Sequence, residues 1–97
     1  MNDKANNDDD IIKLFQSSGF GTDRDDPRSV VAILLTETVK FRDKLKEETG
    51  NILTVSDTRT ALSALKSYFN TGSLPEKITS EQRALTKIWI DRLTLLE

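Results

Sequence analysis

The stretch DPRSVVAILLTETVKFRDKLKEETG, residues 26–50, decides the fold of this chain. It opens on Asp26-Pro27. The acid can accept from orphan N–H groups, and the proline's fixed φ suits the first helical position. It closes on Gly50, a residue that tolerates the left-handed conformation at a helix end. Between these signals Val31, Leu34, Thr38, Phe41 and Leu45 recur at i, i+3, i+7, i+10 and i+14, one face of a helix. Val30, Ile33, Leu35 and Val39 widen that stripe, so the first half is apolar nearly all round and is predicted to be deeply buried, within one chain or across a homodimer. The second half is a charged shaft, where Lys40, Arg42, Lys44 and Lys46 interleave with Asp43, Glu47 and Glu48. Lys44 and Glu48 stand four apart in the less favourable order and contribute little. A helix over 27–49 is therefore the spine.

Upstream of the spine, Asp8, Asp9 and Asp10 precede Ile11, Ile12, Leu14 and Phe15. Acids belong at the positive end of a helix, which predicts a short helix over 9–18 ended by Gly19. The first seven residues, rich in Asn and Asp, have little to bury and read as a disordered acidic tail. Residues 19–26, GFGTDRDD, read as a loop whose one large apolar group is Phe20.

Downstream, residues 51–55 are too short for a sheet and read as a connector whose Ile52, Leu53 and Val55 plug one end of the core. Ser56 or Asp57 is the expected cap of a third helix reaching about residue 70. Ala61, Leu62, Leu65, Tyr68 and Phe69 lie there at helical spacing, and Asn70-Thr71-Gly72 stops it. Two capping boxes then compete, Ser73 with Glu76 and Thr79 with Gln82. Pro75 suits the first of them, so the spacing predicts a helical turn over 74–78 running into a last helix over 80–96. Leu85, Ile88, Trp89, Leu93 and Leu96 would face inward from it. The expected fold is all-α: a small up-and-down bundle of four helices, the first one short, in a single domain over 8–97.

Composition bounds the chemistry. Ninety-seven residues hold one core. There is no cysteine, so disulfide and thiolate chemistry falls away. There is no histidine, which removes the commonest general base and metal ligand. Sixteen acids against fourteen bases give a net charge of -2, a balance that does not favour nonspecific duplex binding. The longest apolar run, residues 30–35, is far short of the ~20 that span a bilayer. The N-terminus has neither the basic start nor the apolar stretch of a secretory signal. A soluble, cytoplasmic chain with no cofactor is expected.

Motifs that could carry chemistry have simpler readings. The triplet Asp8-Asp9-Asp10 could face a cation, but three consecutive carboxylates diverge and cap a helix instead. Asp23, Asp25 and Asp26 lack the calcium-loop pattern, since Arg28 and Leu34 stand where glycine and a bidentate glutamate belong. Gly19-Phe20-Gly21 fails the dinucleotide fingerprint because Arg24 occupies the third glycine position. The Lys40–Lys46 cluster could contact phosphate, yet acids interleave and no stacking aromatics accompany it. A helix-turn-helix over 57–69 and 80–96 would need a turn of about ten residues, against the usual three or four. The indole N–H of Trp89 and the hydroxyl of Tyr68 each want a polar partner, which predicts boundary positions for both. The candidate partner-binding residues are thus Phe20, Arg42, Lys46, Tyr68 and Trp89. No catalytic, cofactor-binding or metal-ligating set emerges.

The run Thr60-Ala61-Leu62-Ser63-Ala64-Leu65-Lys66-Ser67-Tyr68-Phe69, followed by Ser73-Leu74-Pro75-Glu76-Lys77, resembles a known pattern. It is similar to the third-to-fourth helix region of the small photosystem II assembly and repair lipoproteins of cyanobacteria and chloroplasts. That family has a Thr-Ala-Leu-x-x-Leu-x-x-aromatic-aromatic run, then a loop, then Leu/Ile-Pro-Glu-Lys opening the last helix. It also has a short first helix and an acidic loop ending in Asp-Pro, parts that residues 9–27 could play. This chain departs from the family's bacterial members in having no lipid-bearing cysteine, in a shorter loop after Phe69, and in the apolar character of residues 30–35. The resemblance implies a non-enzymatic factor that binds a photosystem subunit during assembly, thylakoid-associated, with no catalytic residues.

The expected function is that of a non-enzymatic helical protein acting by protein–protein binding, as an assembly or regulatory factor. The alternative is a nucleic-acid-associated regulator using the basic face of the second helix. A third reading is a divalent-metal hydrolase built on carboxylates alone.

Overall fold

A computed structural model describes residues 7–19 and 29–95. Among these residues the chain forms four helices and no strand: α1 (Asp8–Ser17), α2 (Val30–Thr49), α3 (Val55–Thr71) and α4 (Ser80–Thr94). The fold is the small all-α helical bundle expected. The expected tail over residues 1–6, the loop with Phe20, the Asp26-Pro27 start signal and Leu96 lie outside the described residues.

Each helix starts on a side-chain cap, and three of those caps differ from expectation. Asn7 caps α1, accepting from the Asp10 N–H at 2.9 Å, so the three acids fill the first turn rather than the cap itself. Asn7 thus belongs to α1 and not to the tail. Ser29 caps α2, accepting from the Ala32 N–H at 3.1 Å. The helix begins at Val30, three residues later than the Asp26-Pro27 signal implied, because the serine hydroxyl satisfies the orphan donor locally. Thr54 caps α3, with Asp57 at its third position in a reciprocal box, rather than Ser56 or Asp57 serving as the cap. The Thr79–Gln82 box forms as read and opens α4. α2 and α3 each end on a glycine in the left-handed region, Gly50 at φ +75° and Gly72 at φ +81°.

The core gathers Ile11 and Phe15 from α1, Val31 and Leu34 from α2, Leu62 and Leu65 from α3, and Leu85 and Trp89 from α4. Leu53 seals it from the connector, as expected, while its neighbour Ile52 is 56% exposed and plugs nothing. Val31, Ala32, Ile33 and Leu34 are buried within the single chain, so the apolar start of α2 needs no second copy to cover it. Phe69, the last residue of the α3 stripe, is 60% exposed: it stands on the last turn of α3, beyond the buried Leu65.

Of the pairs consecutive in the chain, α1/α2 and α3/α4 pack together, whereas α2 and α3 do not. α1 packs on α2 and α3, and α4 packs on α2 and α3. Across one diagonal, Phe15 of α1 meets Trp89 of α4 edge to face, ring centres 5.8 Å apart. α4 runs antiparallel to α2, since Glu37 reaches Arg92 while Trp89 reaches Thr38 and the later residues of α2 face Ala84. It runs parallel to α3: Asp57 bonds Gln82, and the Ala61 carbonyl lies 3.3 Å from the Thr86 hydroxyl. The alternation of an up-and-down arrangement therefore stops before α4.

That parallel pairing explains why residues 74–78 form no helical turn. From Thr71 the chain must return about 20 Å to the level of Asp57 and cross to the next helix axis about 9 Å away. Extended, the connection reaches about 30 Å; a five-residue helical turn would shorten it by about 9 Å and consume the slack. Residues 74–78 stay irregular, and the Arg83 guanidinium donates to the Pro75 carbonyl at 3.1 Å to pin them. The Leu74-Pro75-Glu76-Lys77 segment consequently precedes the last helix without opening it.

Candidate docking groove

α2 is 20 residues long and α1 only 10, so about 30 Å of spine faces a partner about 15 Å long. The apolar stripe of α2 outruns α1. Its last members, Phe41 and Leu45, one turn apart, are half-buried, as are Ala84 and Ile88 one turn apart on the antiparallel α4. These four side chains floor a surface groove of about 470 Å³ along the α2–α4 seam.

The walls are charged. Lys40, Lys44 and Glu48 stand along the α2 side, with Glu37 at one end. The Glu37 side chain is only 13% exposed and is shared by two cations: Lys40 Nζ at 3.9 Å and Arg92 Nε at 3.5 Å. One carboxylate against two cations leaves that end net positive. Lys44, one turn further, is exposed and adds to it. The acid Glu48 lies at the other end, near the last turn of α2.

The candidate residues read from sequence do not assemble here. Arg42 is not part of the groove lining: its guanidinium meets Asp8 of α1 at 3.1 Å and its own neighbour on α2, Asp43, at 3.2 Å. Lys46 is exposed in the last turn of α2 and is not part of the lining. The four cations of residues 40–46 thus diverge, and only Lys40 and Lys44 share a wall. Tyr68 is half-buried beside Lys87, Ile90 and Asp91 in a shallow depression of about 280 Å³, its ring 5.9 Å from that of Phe69. Trp89 is a correction: it is fully buried, not at a boundary, and its indole N–H donates to Thr38 Oγ1 at 3.1 Å. Phe20 lies outside the described residues. α3 and α4 lie side by side in parallel, unlike the crossed pair of a helix-turn-helix.

The groove residues Phe41, Leu45 and Ile88 were legible only as core, and Lys40 and Lys44 as a solvated face or, in the alternative reading, as part of a phosphate-contacting basic face. The one available signal is the difference in helix length, which leaves part of a long apolar stripe without a short neighbour to cover it. Among the described residues no group of three or more carboxylates is placed to hold a metal ion, and no helix is long and apolar enough to cross a membrane. No protein-family model, no curated protein and no solved structure matches the chain.

Proposed function

We propose that this chain is a non-enzymatic protein that acts by binding another protein through the α2–α4 groove, as an assembly or regulatory factor. One observation carries the reading: a half-buried apolar floor, formed by Phe41, Leu45, Ala84 and Ile88, lies open at the surface between charged walls. That is the anatomy of a docking site, apolar at its centre and polar at its rim. The photosystem-assembly role, and with it a thylakoid-associated location, rests on the resemblance of residues 60–77. It would make the bound protein a photosystem subunit.

The test is affinity capture from the source cell with the wild-type chain and with Ala84→Glu, which fills and charges the floor. A protein retained by wild type and lost by Ala84→Glu, with the helical melting curve preserved, is the expected result. Equal retention by both chains would refute the groove as the site.

A further inference from the structure

We infer that the occupant of the α2–α4 groove is an amphipathic α-helix of a partner protein whose apolar stripe is flanked by acidic residues. This rests on the docking role proposed above. The class of element follows from the walls. Both are helices, whose backbone N–H and C=O groups are spent on their own ladders, so the groove offers no strand edge. A segment settling on this apolar floor must satisfy its own backbone groups, and a helix does so. The length fits as well. From Glu37 to Glu48 the lining covers about 16 Å of α2, room for about three turns presenting apolar anchors at i, i+3 or i+4, and i+7.

The sign of the flanking charge follows from the rim. Glu37 is held between Lys40 and Arg92, so its carboxylate is already engaged and one positive charge remains there. The Lys40 side chain is 70% exposed, and Lys44 stands one turn away on the same wall. The middle of the groove is therefore positive, and the acid Glu48 lies only at its end. A partner helix with Glu or Asp beside its apolar stripe complements Lys40 and Lys44; a basic residue at one terminus complements Glu48. A basic-flanked helix would set like charges against the central wall, which is the discrimination that rim charges provide.

The test uses three synthetic peptides of about eighteen residues, titrated into isotope-labelled protein and read by amide chemical shifts. One carries a leucine stripe flanked by glutamates, one the same stripe flanked by lysines, and one is a scramble of the first. The glutamate-flanked peptide should shift amides at residues 40–48 and 84–88, and Lys40→Glu/Lys44→Glu should weaken it about tenfold. Raising salt should weaken the wild-type complex more than the variant's. Equal binding of the scramble would refute a helical occupant. A groove that prefers the lysine-flanked peptide would refute the acidic flank while leaving the docking role standing. Self-association that shifts the same amides, with no peptide able to compete, would refute a foreign occupant. No shift from any peptide, together with retention of captured protein by Ala84→Glu, would refute both the occupant and the docking role.

Discussion

Trp89 and Thr38 form the polar link at the centre of the bundle. The threonine hydroxyl donates to the Leu34 carbonyl at 2.6 Å and accepts from the indole N–H at 3.1 Å, so both groups are satisfied in a fully buried place. Replacing Thr38 with valine keeps the volume but leaves a buried N–H without a partner. The expected cost is about 1–3 kcal/mol, read from denaturant unfolding followed by the emission of the chain's single tryptophan. Thr38→Ser, which keeps the acceptor, should lose less. The indole's need for a polar partner is visible in sequence, but its location is not. The partner stands fifty-one positions away, and no local rule ties the two together. The same gap explains Arg42, which reads as part of a basic face until α1 brings Asp8 against it.

The helix starts of α3 and α4 are built as one unit. Each has a reciprocal capping box, Thr54 with Asp57 and Thr79 with Gln82, and the two boxes are joined by the Gln82 amide donating to Asp57 Oδ1 at 2.9 Å. Asp57 thus serves its own helix through one oxygen and the neighbouring helix through the other. Asp57→Ala should cost about 1–2 kcal/mol. Ser73→Ala, in the rival box ahead of residues 74–78 that form no helix, should stay within about 0.5 kcal/mol. A double-mutant cycle on Asp57→Ala and Gln82→Ala should return a coupling of about 0.5–1.5 kcal/mol, where independent caps would return none. The glycine stops of α2 and α3 and the Thr79 box were readable because caps are local. The choice of Thr54 over Ser56 follows from which residue places Asp57 three positions on. The loss of helix at 74–78 was unreadable because it depends on α3 and α4 lying parallel, a property of the packed bundle.

The bundle as a whole is a long spine covered by unequal neighbours. Helix count, helix type and the buried start of α2 follow from periodicity. The direction of α4 and the uncovered end of the α2 stripe do not, since both arise from how far each helix reaches beside the others. Among the described residues three large apolar side chains stand more than half exposed, Ile52, Phe69 and Leu95, but they are scattered and none of them lines the groove. Single exposed apolar residues are ordinary on a protein surface, whereas Phe41, Leu45, Ala84 and Ile88 adjoin one another in one recess. Ala84→Glu tests that distinction by stability as well as by binding. Ala84 is half-buried but faces an open groove, where a glutamate can extend toward solvent and pair with Lys87 three residues on. Thermal unfolding should therefore change by about 1 kcal/mol or less while partner capture is lost. Site-specific photo-crosslinking in the source cell separates the groove from its rival, the exposed aromatic edge of α3. A photoreactive side chain at position 44 should yield a discrete protein adduct that Ala84→Glu abolishes, and one at position 69 should yield none. An adduct formed from position 69 and absent from position 44 would contradict docking through the α2–α4 groove.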